Sequence, residues 1–206
     1  MVVAKTPGII KALYSQLTWE LLNQENKIYL TFDDGPTPDV TPWVLDLLRK
    51  HHIKATFFCL GKNVEAHPEI YQQILEEGHT VGNHTYDHPS GWKTEKEQYL
   101  QNISRAAVLI ESGLFRPPYG RITKAQAKQL KEQYHIIMWN VLSGDYDPKV
   151  TAGKCLENVI KNTESGSIIV FHDSVKASAK LKTVLPEAID ILMKKGFIFD
   201  QIPAGH

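Results

Sequence analysis

An α/β fold on a parallel sheet is what this 206-residue chain predicts, and three observations carry that expectation. Short apolar runs alternate with longer amphipathic stretches from end to end, in about seven strand–helix steps. No repeated, linker-like or low-complexity segment interrupts them, so one domain follows. The residues with chemical potential, Asp33, His84, Arg116, Asp145 and His172, each fall just after a different strand-like run. Alternation alone fits a doubly wound sheet as well as a barrel. Loops at strand C-termini converge over one mouth in a barrel and spread apart in an open sheet, so the third observation favours closure.

Residues 9–22 read as an amphipathic helix with Ile10, Leu13, Leu17 and Leu21 in one stripe. Residues 1–26 are then a helical extension packed on a domain spanning 27–206. Residues 28–32 form a strand, and 38–51 a helix with Val40, Val44, Leu47 and Leu48 on its apolar face. Residues 55–60 are a buried strand that Gly61 stops, and 67–77 a helix that Gly78 ends. A short strand over 80–82 delivers the chain to a histidine pair. Thr94 with Glu97, and Thr123 with Gln126, have capping-box spacing. They open helices running to about 111 and about 134. Phe115, 135–139, 167–171 and 197–199 are strands, and 151–163 and 181–195 are helices, the last stopped by Gly196.

Composition removes several function classes. The 23 basic and 23 acidic residues cancel, which argues against general attraction to nucleic acid or an anionic membrane. No stretch approaches the roughly 18 apolar residues of a membrane span. Two cysteines, Cys59 and Cys155, make no disulfide framework, and Cys59 sits in an apolar run as a buried thiol would. The N-terminus lacks the continuous apolar core of a signal peptide. If Met1 is the native start the expected location is cytoplasmic; otherwise it is the cell envelope.

The chemistry begins with Asn83-His84-Thr85-Tyr86-Asp87-His88. Histidines four apart can share one side of a backbone turn and converge on one point, as a metal requires. An acidic pair, Asp33-Asp34, follows a strand and precedes Gly35-Pro36. One of these carboxylates can complete a set of two histidines and one carboxylate with a position open for water, while the other takes a proton. Strand-end acids also suit a magnesium phosphotransferase, but paired imidazoles fit zinc better than oxygen-preferring magnesium. Arg116, stiffened by Pro117-Pro118, is suited to orient a carboxylate. His172, after the apolar run 168–171, is placed to act as a general acid, and Asp145 to raise its pKa.

Together these segments resemble the polysaccharide deacetylase family, the NodB-homology domain of carbohydrate esterase family 4, from Ile28 to about Phe199. Thr31-Phe32-Asp33-Asp34-Gly35-Pro36 looks like the first family motif and His84-Thr85-Tyr86-Asp87-His88 the second. Arg116-Pro117-Pro118-Tyr119 looks like the third, and Val170-Phe171-His172 is similar to the fifth. The fourth departs: Leu142 stands where aspartate is frequent, and Tyr146 where tryptophan is frequent after Asp145. The resemblance implies a distorted (β/α)7 barrel that removes acetyl from N-acetylated sugars, or less often O-acetyl, with a divalent metal: zinc first, with cobalt, nickel or manganese as alternatives. It implies Asp34, His84 and His88 as metal ligands, Asp33 as base, Arg116 orienting Asp33, His172 as acid, and the Tyr119 N–H holding the oxyanion. Its implied partner is a carbohydrate, and Trp92 and Trp139 could stack on sugar rings. Two other functions compete: a C–N hydrolase of a small cyclic amide or ureide, and a non-catalytic carbohydrate-binding barrel. The full set of acid, base and metal ligands argues against the second, since binding needs no general acid.

Overall fold

The computed structural model describes residues 3–22 and 25–204. Seven parallel strands run β5-β4-β3-β2-β1-β7-β6 across a curled sheet. They are β1 (Lys27–Asp33), β2 (Thr56–Cys59), β3 (Thr80–Asn83), β4 (Leu114–Phe115), β5 (His135–Ile136), β6 (Val141–Leu142) and β7 (Ile168–His172). An eighth, β8 (Ile198–Asp200), pairs with the start of β1. Tyr29 pairs with Ile168 of β7 and also with Asp200, so β8 lies on the edge that β2 takes higher up. Helices α1 (Gly8–Leu13), α2 (Thr41–Lys50), α3 (Gly61–Ala66), α4 (Pro68–Glu76), α5 (Lys96–Ala107), α6 (Lys124–Leu130), α7 (Ala152–Asn162) and α8 (Ser178–Lys194) complete the order. The result is a distorted (β/α)7 barrel, as the sequence predicts.

Strand alternation decides what faces the barrel interior. Ile28, Leu30 and Phe32 of β1, Phe57 of β2, and Ile169 and Phe171 of β7 join the outer core beneath the helices. Phe32 and Phe57 stack there at 5.0 Å; each such ring contributes roughly 1.5–3 kcal/mol by leaving water. The intervening residues Tyr29, Phe58 and Ile168 fill the barrel's base. By the same alternation Asp33 and His172 point inward, and they are register partners at the mouth.

The helix expected over 9–22 is corrected to Gly8–Leu13, none of whose side chains is buried. Ile9 and Leu13 stay exposed, while Leu17 and Trp19 enter the core beyond the helix. The competing demand is the open seam between β5 and β6, whose backbone groups need partners. The N-terminal segment supplies them. The Thr18 N–H donates to Ile136 O (3.0 Å), and the Met138 N–H donates to Thr18 O (2.7 Å). On the other side the Leu21 N–H reaches Gly166 O (2.9 Å), and the Leu142 N–H reaches Ala4 O (2.9 Å). The described part of the 1–26 region is therefore a strap across the seam rather than a helical extension; Asn23 and Gln24 lie outside the described residues.

Three smaller expectations also change. Gly61 does not simply stop a strand; it opens α3. The Thr94 hydroxyl donates to Ser90 O, and α5 starts after Glu95 with no side-chain cap. The Thr123–Gln126 capping box is present with both reciprocal bonds.

Candidate active site

Asp33 and Asp34 end β1, and opposite requirements are met within two residues. Asp33 is still in the strand and points into the barrel, almost fully buried. Asp34 has a left-handed φ of 81°, which turns its side chain out of the strand's alternation and toward the mouth. The strain of that backbone is held by its neighbours. The Asn63 side chain donates to Asp34 O (2.7 Å), and the Leu60 N–H donates to Gly35 O (2.9 Å). Asp173 holds the turn from below. It accepts from the Gly35 N–H (3.0 Å) and the Thr41 hydroxyl (2.6 Å). A Cβ on Gly35 would lie 2.0 Å from Asp173 Oδ2, so only glycine fits. Burial, with Asp34 and Asp33 nearby, pushes the Asp173 carboxyl up to about 7.

The histidine pair converges, but by a different route from one helical turn. Residues 84–88 form an irregular bend with left-handed Thr85 (φ 71°) and His88 (φ 68°). A β-branched residue at positive φ is costly, and the loop is correspondingly pinned. The Thr85 N–H donates to Asn83 Oδ1 (2.8 Å), the Tyr86 N–H to Asn102 Oδ1 (2.8 Å), and the His88 N–H to Thr85 Oγ1 (3.1 Å). The two imidazole rings end 5.1 Å apart.

Asp34, His84 and His88 each present one ligand atom within 4.8 Å of the others. Asp34 Oδ1 lies 3.7 Å from His84 Nε2 and 3.3 Å from His88 Nε2. The donor set fits a divalent cation. Buried Asp34 Oδ1 has no hydrogen-bond partner among the described residues, which is costly unless a cation accepts it. His84 Nδ1 lies 2.7 Å from Arg116 O and donates its proton there, so Nε2 carries the free lone pair. Burial, then His88, push the His84 pKa down to about 3, and burial also lowers that of His88. Both rings are thus neutral at neutral pH, as imidazoles that hold a metal must be.

Arg116 is no surface residue. It is fully buried, and its Nη1 donates to Asp33 Oδ1 (2.6 Å) and Thr31 Oγ1 (2.7 Å). Its Nε and Nη2 reach Ile137 O (3.3 Å) and Met138 O (3.1 Å) at the seam. The contact with Asp33 is a single Nη1–Oδ1 bond.

Next to Asp33 at the mouth, His172 is gripped twice by the fully buried Asp145. Its Oδ1 lies 2.8 Å from His172 Nδ1, and its Oδ2 accepts the His172 backbone N–H at 2.7 Å. Burial opposes charge on the ring, but the Asp145 carboxylate and its hydrogen bond, with Asp34 and Asp33, outweigh it and push the His172 pKa up to about 9. The Tyr146 ring meets His172 edge-on at 4.7 Å, so the fourth-motif departure forms a wall of the site.

These groups border one cavity of about 510 Å³ lined by Asp33, Asp34, His84, His88, Tyr119, Trp139, Leu142, Tyr146 and His172. Tyr119 (φ 59°) sets its ring edge-on to His88 at 4.5 Å. Trp139 lines the cavity, whereas Trp92 stays outside its lining with Arg121 over its ring. Sequence reasoning missed Asn63, Asn83 and Asn102, whose signal is long-range hydrogen bonding and not local pattern.

The profile of the polysaccharide deacetylase family matches residues 22–135. The chain is 37% identical over 193 residues to a peptidoglycan-N-acetylglucosamine deacetylase of Bacillus cereus, covering 89% of each chain. It is 32% identical over 205 residues to a chitooligosaccharide deacetylase of Azorhizobium caulinodans, covering 89% of this chain and 96% of that one. The solved Bc1960 peptidoglycan N-acetylglucosamine deacetylase, in complex with an N-hydroxybenzamide, superposes with a TM-score of 0.87 at 34% identity, over 96% of this chain and 95% of that one.

Proposed function

The chain belongs to the polysaccharide deacetylase family, a metal-dependent hydrolase of acetylated glycans, and from that premise we propose that it cleaves the acetamide of N-acetylated sugars, with Asp33 as general base and His172 as general acid. One observation carries the assignment: an Arg116-held carboxylate and an Asp145-held imidazole, register partners on neighbouring strands, border the same cavity as Asp34, His84 and His88. We assign the metal to those three ligands and its identity to zinc, because two neutral imidazoles and one carboxylate form a borderline set. A bound divalent cation supplies Lewis acidity there, making water easier to deprotonate and a carbonyl easier to attack.

The chain's own groups do the rest. Arg116 fixes Asp33 by one oxygen, leaving the other to take the proton of the attacking water. The Tyr119 N–H, on the loop that borders the cavity, is assigned to the oxygen on which charge develops. His172 holds its proton on Nε2, with Nδ1 turned to Asp145, and delivers it to the leaving amine. The products are acetate and a free amino sugar. The relatives' substrates, peptidoglycan and chitooligosaccharide, support an N-acetylated glycan over a cyclic amide.

Acetate release tests this reading directly. Metal-loaded protein should release acetate from chitooligosaccharides and peptidoglycan fragments and leave O-acetylated xylan and cyclic ureides nearly untouched. Opening of a cyclic ureide with no acetate from any glycan would replace it.

A further inference from the structure

A second cavity, of about 520 Å³, adjoins the first and shares Asp34 and His88 with it. Two lysines enter its lining, one of them shared with the reaction cavity. Lys62 reaches it from the start of α3, after β2, and Lys176 from the loop after β7. These strands flank β1 on opposite sides, so the two ammonium-bearing side chains stand on either side of Asp34. Both residues are exposed, and neither forms a salt bridge among the described residues. Asp34 is the one carboxylate among the described residues that line the cavity, and its Oδ1 faces His84 and His88. Nearby Glu65 is outside the lining and already engaged by the Tyr86 hydroxyl at 2.5 Å. Lys176 also hangs over the rim of the reaction cavity, 5.7 Å from the Tyr146 ring.

We propose that Lys62 and Lys176 form an anion subsite that binds a carboxylate carried beside the N-acetyl sugar being hydrolysed, so that acidic glycans are preferred over neutral ones. The proposal rests on the deacetylase reading and adds the class of substrate. A glycan reacting at the metal must extend past it, and the adjoining cavity is the space open on that side. A neutral sugar gives two unpaired ammonium groups nothing beyond water. A carboxylate gives each a charge-assisted hydrogen bond. That carboxylate can be the ether-linked lactyl group of muramic acid or one on an attached peptide.

The test compares kcat/KM for acetate release from four glycans of equal length. These are peptide-free peptidoglycan oligosaccharides with a free lactyl carboxylate, the same with that group converted to a neutral amide, the same bearing a peptide, and chitooligosaccharide. The acid form should exceed the amide form about tenfold, mostly through KM; that is about 1.4 kcal/mol across two partly exposed ion pairs. The advantage should shrink as salt rises and collapse toward one in the Lys62→Gln/Lys176→Gln double variant. Recovery of the advantage with the peptide-bearing form would place the carboxylate on the peptide. Equal rates on acid, amide and peptide-bearing forms, or an advantage untouched in the double variant, would overturn the subsite and leave the deacetylase reading standing. No acetate from any glycan, chitooligosaccharide included, would overturn both.

Discussion

Asp33→Asn should keep its fold and its metal and lose about 10²-fold or more of its deacetylase activity. The amide is nearly isosteric with the carboxylate, and its Oδ1 can still accept from Arg116 Nη1. Arg116 itself remains anchored by Thr31, Ile137 O and Met138 O. What the variant lacks is a basic oxygen for the water proton, so the loss falls on kcat. Metal content measured alongside turnover separates this from a binding defect, since Asp33 is not one of the three ligand residues. Near-normal turnover with full metal would remove Asp33 from the role of base.

The second large effect lies at His172, the register partner of Asp33 on the neighbouring strand. His172→Ala should lower kcat by about 10²-fold or more with metal content unchanged, because the leaving amine loses its proton donor. Asp145→Asn probes the same group through its pKa. With Asp145 beside it, His172 keeps its proton until pH rises through about 9, and the alkaline limb of the kcat profile should report that loss. A neutral partner no longer offsets burial, so the imidazolium is less favoured and the limb moves to lower pH. A limb that stays in place would take Asp145 out of the mechanism. Leu142, where the family often carries aspartate, offers no second carboxylate to compensate.

Much of this was legible in the sequence because it depends on local periodicity. Alternation of strand and helix signals pointed to a parallel sheet covered by helices, and the strand-end positions of Asp33, Arg116, Asp145 and His172 pointed to closure over one mouth. The Thr123–Gln126 cap was readable because both partners sit three residues apart. The missing parts depend on distant partners. The strap was hidden because Leu17 continues a helical stripe in sequence, yet Thr18 is claimed by the open edge at Ile136 and Met138. The two-residue strand β6 is too short to show periodicity. The left-handed turns at Asp34, Thr85 and His88 leave no sequence signal in non-glycine residues, although they bring the Asp34, His84 and His88 side chains together. Asn63, Asn83 and Asn102, which hold those turns, are ordinary polar residues until the fold brings them near.

The central claim is that one cation, held by Asp34, His84 and His88, is required for acetate release. Metal-stripped protein titrated with zinc while acetate release from a chitooligosaccharide is followed tests it most directly. Activity should climb in proportion to added zinc and stop at one equivalent, and His84→Ala should neither retain zinc nor recover activity. Acetate release by the stripped protein, or full zinc occupancy with normal activity in His84→Ala, would contradict it.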